Sequence, residues 1–284
     1  MTSSLGQKKF VPPSFSSEQQ KIKEKMDKIK HKIIIFSGKG GVGKSTVSAN
    51  LAFGLANMGY KVGILDSDFH GPDIPLLLGI QDQRPGIIPE TNEITPVVGP
   101  LGIKAMSIGF LIEDPKQPVI WRGPLKLKAI KEFIMNVSWG ELDFMIIDFP
   151  PGTGDEVLTA MQIIPNIDGS IIVTTPQEVA LLDSRKAVVM SQKLNVPVLG
   201  IIENMAGFIC PHCGKKTYIF GIGGGENAAK ELNVDFLGRV PLDVRLRELS
   251  DEGKPFIVNY PDAEASKALT EIINKVLQKI GEKK

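Results

Sequence analysis

Two adjoining stretches, KIIIFS (residues 32–37) and GKGGVGKS (residues 38–45), decide the fold of this chain. The first is a continuous apolar run of strand length, which is typical of a strand buried in a parallel sheet. The second has the pattern G-x-x-x-x-G-K-[ST], and a helical pattern follows over residues 43–58. A glycine-rich loop between a strand and a helix is the context in which this pattern binds phosphate.

Each residue type in this loop has a chemical reason to lie there. The glycines let successive backbone N–H groups point inward around an anion, and the following helix adds the positive end of its dipole. Lys44 is expected to reach the β- and γ-phosphates of a nucleotide, Ser45 to hold Mg²⁺, and Thr46 to bind an α-phosphate oxygen. The predicted nucleotide-binding residues of the loop are Gly38, Lys39, Gly40, Gly41, Val42, Gly43, Lys44, Ser45 and Thr46.

The rest of the chain alternates short apolar runs with helical patterns. Further strands are predicted at residues 61–66, 102–108, 143–149, 169–175, 197–204 and 234–240, and further helices at 17–31, 124–137, 178–194 and 263–281. This alternation predicts an α/β fold with a mostly parallel twisted sheet and helices on both faces. Residues 1–30 are interpreted as a flexible tail and a charged helix, and residues 31–284 as one P-loop domain.

The bulk composition narrows the class of protein. Of the 284 residues, 42% are hydrophobic and 23% charged, which is the balance of a soluble globular protein. The formal net charge of +1 gives no general attraction for nucleic acid or an acidic membrane, so neither is expected as a partner. No apolar run approaches the roughly 20 residues of a membrane helix, and the N-terminus lacks the apolar segment of a secretory signal. These features predict a cytoplasmic protein.

Acidic residues follow two of the predicted strands. Asp66 and Asp68 lie at the end of the strand 61–66, and Asp148 follows four apolar strand residues. Carboxylates at strand ends beside a phosphate loop can hold Mg²⁺ through water and order an attacking water. We therefore expect Ser45, Asp66 and Asp148 to be the magnesium residues. The alternative for Asp66 is that it only caps a local turn.

Asn204 is the candidate for contact with a nucleotide base. It ends the predicted strand 197–204, and an amide offers both a donor and an acceptor to the edge of a purine. A guanine signature of the Asn/Thr-Lys-x-Asp type does not occur where it would be expected, which favours ATP over GTP. The alternative is that Asn204 only forms a turn.

The chain has only two cysteines, in the sequence Cys210-Pro211-His212-Cys213. In a reducing compartment this spacing suits a metal site or a redox pair better than a structural disulfide. Two thiolates are half of the four ligands that Zn²⁺ or a [4Fe–4S] cluster requires. A two-fold dimer would bring two pairs together and complete a four-cysteine site on its axis. A zinc site between two copies and a redox pair stay open as alternatives.

These motifs resemble those of a known family. The loop GKGGVGKST, with its early lysine, resembles the deviant Walker A loop of the nitrogenase iron protein and of the septum-site and plasmid-partition ATPases. Four segments resemble, in this order, those of the Mrp/ApbC-type iron–sulfur cluster carriers: WRGP (121–124), DFPPGTGDE (148–156), ENMAGF (203–208) and CPHC (210–213). The resemblance covers nearly the whole chain.

For the nucleotide, the resemblance implies an ATP-hydrolysing homodimer. Lys39 would reach the nucleotide of the partner copy, where a cation neutralises charge on the transferred phosphoryl group. Asp68 would position the attacking water, while Asn204, Pro241 and Asp243 would line the base. The predicted catalytic residues are Lys39, Lys44, Asp68 and Asp148.

For the cysteines, the resemblance implies a [4Fe–4S] cluster that is held by Cys210 and Cys213 of both copies. The cluster would be transferred to apo iron–sulfur client proteins, with cluster-assembly proteins as further partners. The alternative is an ATPase of the septum or partition type that acts on DNA or a membrane, and the weakly amphipathic, basic C-terminal pattern is the feature that supports it.

Overall fold

The computed structural model describes residues 13–112 and 123–282. In chain order its helices and strands are α1 (Pro13–Met26), β1 (Ile29–Phe36), α2 (Lys44–Asn57), β2 (Val62–Asp66), α3 (Ile74–Leu77), β3 (Gly86–Ile88), β4 (Glu93–Thr95), β5 (Val97–Val98), β6 (Lys104–Ser107), α4 (Gly123–Asn136), β7 (Leu142–Asp148), α5 (Asp155–Ile163), β8 (Gly169–Thr174), α6 (Glu178–Lys193), β9 (Val198–Ile209), β10 (Lys216–Thr217), α7 (Gly224–Glu231), β11 (Phe236–Leu242), α8 (Val244–Asp251), α9 (Phe256–Asn259) and α10 (Glu264–Lys279). Among the helices described in these two ranges, none has the length and apolar character needed to cross a bilayer.

One large sheet organises the described part of the chain. Its strands lie in the order β10, β9, β8, β1, β7, β2, β6, β5, and β11 also pairs with β9. The pairs along the run from β9 to β6 are parallel, as is β11 with β9, whereas β10 and β5 are antiparallel to their neighbours. The strands β3 and β4 form a separate antiparallel pair. The predicted mostly parallel sheet is confirmed.

The central strands are apolar along their length because helices cover both faces of the sheet. The side chains of Ile33–Phe36 in β1 and of Ile146 and Ile147 in β7 are fully buried. The helix α2 packs against α9 and α10, while α4 packs against α1 and α5. Burial on both sides is the reason that these strands show continuous apolar runs in place of an alternating pattern.

The pairing registers place the carboxyl ends of three central strands next to one another. Ile35 of β1 is opposite Asp148 of β7, and Asp148 is opposite Asp66 of β2. The strand β1 leads within a few residues into the phosphate loop. Two buried carboxylates and the loop therefore meet at one edge of the sheet, where ligands of parallel sheets bind.

The N-terminal helix differs from the prediction. α1 spans Pro13–Met26 where residues 17–31 were expected, and residues from Ile29 onward belong to β1. Ile22 and Met26 are buried, so the helix is docked on the domain as its apolar stripe predicts. A division between residues 30 and 31 would cut through β1. The part of the predicted tail at residues 1–12 lies outside the described residues, as do Trp121 and Arg122 of the WRGP segment.

The strand β9 is longer than the strand predicted at residues 197–204. It continues to Ile209, so Asn204 lies within the strand and not at its end. Met205 has a φ of 58°, and the register with β11 shifts close by. The strand thus continues past a left-handed residue, a conformation that the sequence pattern did not indicate. The longer strand carries the chain directly from Asn204 to the residue before Cys210.

Candidate functional site

Lys44 of the phosphate loop lies in a buried cluster of charged and hydroxyl groups. Its Nζ atom is 2.6 Å from Oδ2 of Asp148 and 3.8 Å from Oδ2 of Asp68. The hydroxyl groups of Ser45 and Ser48 donate to the Asp148 carboxylate over 2.7 and 2.6 Å. Lys44 and Asp148 are only 6% and 0% exposed. Because a buried charge is costly without a partner, Lys44 compensates the carboxylates in this conformation.

The oxygen atoms around Asp148 fit a magnesium ion. Mg²⁺ takes few protein ligands, all of them oxygen, and keeps waters and substrate phosphates in its remaining positions. The Ser45 hydroxyl and the Asp148 carboxylate converge within 2.7 Å of each other, next to the phosphate loop. Two of the three residues expected for this role from the sequence, Ser45 and Asp148, are thus brought together.

Asp66 takes a different position from the one expected of a magnesium residue. Its side chain is fully buried, one oxygen accepts from the Ser107 hydroxyl over 2.8 Å, and the other accepts from the Asp68 N–H over 3.0 Å. Burial, and secondly the negative charge of Asp148, raise the pKa of Asp66 well above its ordinary value. The Asp66 carboxylate therefore binds the backbone N–H of Asp68 from within the protein interior, where β2 places it.

An open cavity of about 500 Å³ lies over the phosphate loop. This volume is in the range of pockets that bind small-molecule ligands. Residues predicted separately for the phosphates and for the base line the same cavity, although they come from distant parts of the sequence. They are Gly40, Gly41, Gly43, Lys44, Ser45, Thr46, Asp68, Asn204, Pro241 and Asp243.

Three predicted loop residues do not line this cavity. An added Cβ at Gly38 would lie 2.1 Å from a backbone carbon of Asp183, so the loop packs closely against α6 there. Val42 is buried, and its carbonyl oxygen accepts from Nδ2 of Asn204 over 2.9 Å. Lys39 is exposed, and the structure shows no ion pair for it among the described residues. Gly38 and Val42 therefore shape the loop, while Lys39 faces solvent.

Asn204 is hydrogen-bonded to the phosphate loop and also lines the cavity. In addition to its bond to Val42, it limits the residue at position 43, where an added Cβ would lie 2.3 Å from Asn204 Nδ2. Gly43 also has a φ of 79°, which disfavours side chains. Because the loop engages the amide nitrogen in this conformation, the contact of Asn204 with a base stays a prediction.

The far wall of the cavity contains a helix that sequence reasoning missed. Asp243 caps α8, since its side chain accepts from the Arg245 N–H over 2.9 Å, and it also binds the Arg245 guanidinium group. Burial alone would raise the pKa of Asp243, but the bonds from Arg245 outweigh it and the pKa is lowered. An Asp before a helical pattern is an N-cap signal that would have located α8. The side chains that the sequence did not single out include Leu76, Leu77, Leu246, Arg247, Ser250 and Asp251.

The two cysteines lie at the tip of the hairpin formed by β9 and β10. The Cys210 N–H donates to the carbonyl of Lys215 over 3.1 Å, which closes the turn. Backbone N–H groups of His212 and Cys213, and then the Cys213 thiol, lower the pKa of Cys210. Cys213 is exposed and Cys210 partly so. The thiols are therefore accessible, and Cys210 ionises more readily to the thiolate that binds metals.

A single copy of the chain supplies only part of a metal site at this hairpin. Within residues 13–112 and 123–282 there is no group of three or more His, Cys, Asp and Glu side chains arranged to hold a metal ion. His70, one of the three histidines of the chain, contacts Lys126 over 2.7 Å. The described residues thus offer two thiols, where a tetrahedral site requires four ligands.

The fold, the phosphate loop and the Lys44–Asp148 cluster define a P-loop nucleotide-binding protein. The family model for the NUBPL iron-transfer P-loop NTPases, a ParA-type group, matches residues 28–277. The chain belongs to this family. It is 56% identical over 269 residues to the iron–sulfur cluster carrier protein of Methanocaldococcus jannaschii, covering 95% of this chain and 91% of that protein. It is 54% identical over 274 residues to the carrier protein of Pyrococcus horikoshii, covering 93% and 91%.

Solved structures agree with this assignment. A nucleotide-binding protein from Archaeoglobus fulgidus in complex with ADP superposes with a TM-score of 0.74 at 45% identity, covering 84% of this chain and 92% of that chain. The cell division ATPase MinD of Pyrococcus furiosus superposes with a TM-score of 0.64 at 24% identity, covering 88% and 99%. The second similarity concerns the fold alone.

Proposed function

We propose that this protein is an ATP-hydrolysing homodimer that holds a [4Fe–4S] cluster between its two copies and transfers it to apo-proteins. One observation carries the proposal: the strand β9 joins the two candidate sites. Asn204 in β9 lines the nucleotide cavity, and the same strand ends at Ile209, directly before Cys210. Six residues of extended chain span about 20 Å, so the chain from Asn204 to the first thiol is no longer than that.

The proposed nucleotide chemistry uses residues already close to one another. Lys44 would leave its contact with Asp148 to neutralise the β- and γ-phosphates, and Asp68 would orient the attacking water. Ser45 and Asp148 would hold Mg²⁺, which supplies positive charge to the phosphate oxygens. Lys39 is exposed, as a residue that reaches into a second copy must be. The ADP complex of the Archaeoglobus fulgidus protein supports nucleotide binding at this kind of site.

The proposed cargo rests on the thiol pair and on the relatives. The relatives that cover most of the chain carry the name iron–sulfur cluster carrier protein. Cys210 and Cys213 are accessible at a hairpin tip, and two copies would supply four thiolates on a two-fold axis. Accessible ligands suit a cargo that must leave again, because a client protein can approach the cluster from solvent.

The structure disfavours a septum- or partition-type function that would use the C-terminal helix as a membrane anchor. The helix α10 is amphipathic, but its apolar face packs into the domain core. The buried side chains are Leu269, Ile272, Ile273, Val276 and Leu277. An interfacial helix must present this face to lipid. Exposing it would remove core packing, so this surface is not free for a membrane.

The test is anaerobic reconstitution of the purified protein with iron and sulfide. We expect visible charge-transfer absorption and roughly four iron and four sulfide per dimer. The variant Cys210→Ala should bind none of this cluster, while the matched variant His212→Ala, at the same hairpin tip, should bind as wild type. Transfer is measured as activation of an apo iron–sulfur enzyme. The proposed iron–sulfur cargo would be contradicted if the isolated protein contained zinc but no sulfide and reconstitution with iron and sulfide failed.

A further inference from the structure

A second cavity adjoins Asp68. It has a volume of about 740 Å³ and is open to solvent. Asp68 and Pro151 line both this cavity and the one over the phosphate loop. The second cavity is where the segment after β2, the segment after β7 and the start of α4 meet. Its other lining residues are His70, Gly71, Gly123, Pro150, Gly154 and Val157.

A buried lysine on α4 holds the segment that carries Asp68. Lys126 is only 4% exposed, and its Nζ atom lies 2.7 Å from Nε2 of His70. An ammonium group can only donate hydrogen bonds, so the Lys126 ammonium group is the donor of this contact and Nε2 of His70 its acceptor. His70 itself is exposed and lines the second cavity. This contact fixes the position of His70 relative to a helix that comes later in the chain.

The backbone of the same segment fixes one oxygen of Asp68. The N–H groups of His70 and Gly71 donate to Oδ1 of Asp68 over 3.2 and 3.3 Å. The other oxygen, Oδ2, lies 3.8 Å from Nζ of Lys44 and faces the phosphate-binding side. A displacement of His70 would move the donors of Oδ1, and the carboxylate would rotate with them. The Asp68 carboxylate is thus linked, through the backbone of His70 and Gly71, to the Lys126–His70 contact.

We infer that Lys126 and His70 are positioning residues for ATP hydrolysis, acting by fixing the Asp68 carboxylate that orients the attacking water. This inference rests on the proposed ATPase function. In that reaction the water oxygen bonds to the γ-phosphorus while the bond from phosphorus to the β–γ bridging oxygen breaks. One proton of the water stays on the released phosphate, and the other leaves to solvent past Asp68. An ångström of misplacement of such a group lowers the rate by up to about 100-fold.

The inference predicts an effect on turnover and not on nucleotide binding. His70→Leu keeps the bulk but removes the acceptor, and Lys126→Met keeps the stem but removes the ammonium group. Each should lower kcat for phosphate release by about 10- to 100-fold, with KM for ATP and the affinity for ADP within about twofold of wild type. His70→Gln restores an acceptor for Lys126 and should keep kcat within about threefold.

The experiment measures phosphate release and, by calorimetry, ADP binding of the full-length dimer. Lys128→Met, an exposed lysine on the same helix, is the matched control and should equal wild type. Because Lys126 is buried, the exposed His70 provides the variant that keeps the core intact. Unchanged kcat in His70→Leu, or ADP affinity that falls in step with kcat, overturns the inference. A wild-type protein that releases no phosphate from ATP overturns instead the proposed ATPase function on which it rests.

Discussion

The nucleotide cavity adjoins Asn204, midway along β9, and the cysteine hairpin follows the end of the same strand at Ile209. The two regions are built differently. At the cavity, Lys44, Ser48 and Asp148 are buried and Ser45 is half-buried, and the Asp148 carboxylate already binds all three of the other side chains. At the hairpin, Cys210 and Cys213 are accessible, and the chain adds no further metal-binding cluster among its described residues. One copy brings the Lys44–Asp148 cluster together, whereas the hairpin of one copy supplies only two thiols.

Under the proposed function, this difference would separate the binding of nucleotide from the transfer of the cluster. A buried, internally compensated site tolerates the loss of a member poorly, because removing one side chain leaves a charge without a partner. An accessible thiol pair at a hairpin tip has few such constraints, so in the proposed function it could bind or release the cluster as two copies join or separate. The two regions should therefore respond differently to mutation, both in stability and in binding.

The largest effect is expected for Lys44→Ala. Loss of a buried, charge-assisted contact costs about 2–5 kcal/mol, which corresponds to roughly 30- to several thousand-fold weaker nucleotide binding. Calorimetric titration with ADP and Mg²⁺ measures it, and Lys267→Ala, an exposed lysine on α10, is the control. Anaerobic cluster loading should be retained in Lys44→Ala. Unchanged ADP affinity would show that the cavity is not the nucleotide site.

A smaller effect, on stability, is expected for Gly38→Ala. The new Cβ would overlap the backbone of Asp183, which cannot yield as a flexible side chain would. We expect the free energy of unfolding to fall by about 1–3 kcal/mol, as measured by denaturant titration. Gly123→Ala is the control, because an added Cβ there meets no atom of the described residues within 4 Å. Equal stability of the two variants would contradict close packing of the loop against α6.

Asp66→Asn should raise the melting temperature by a few degrees, and only at the higher pH values. The folded protein raises the pKa of Asp66 above its ordinary value of 3.8, so the folded state holds a proton that the unfolded state releases. Stability from this group is full below about pH 3.8 and is lost as the pH rises through the folded-state pKa. The advantage of Asn should therefore grow from pH 4 to pH 8. Asp262→Asn, at an exposed carboxylate, should show no such trend.

The smallest effect on stability is expected for the double variant Cys210→Ala, Cys213→Ala. Accessible side chains without core contacts change stability little, so the melting temperature of the metal-free protein should stay within about 2 °C of wild type. Thermal unfolding followed by circular dichroism measures it, with His212→Ala as the matched variant. A large decrease would mean that the hairpin tip is part of the folding unit, and the contrast with the nucleotide cavity would disappear.

Local patterns were sufficient for the fold and for the phosphate loop. Continuous apolar runs predicted the buried parallel strands, because residues covered on both faces must all be apolar. The loop could be predicted because its glycines, Lys44 and Ser45 are contiguous in the sequence. The course of β9 beyond Asn204 could not, since the irregular backbone at Met205 interrupts the pattern while pairing with β11 continues.

The sequence by itself determined the phosphate loop, the apolar strands and the presence of one cysteine pair, because each depends on neighbours along the chain. Only the tertiary structure showed that Asp66 lies beneath Asp68, that α8 forms a wall of the cavity and that Lys126 contacts His70. These features join residues distant in sequence, and their burial and distances are set by the packing of strands and helices. Local residue patterns do not contain that information.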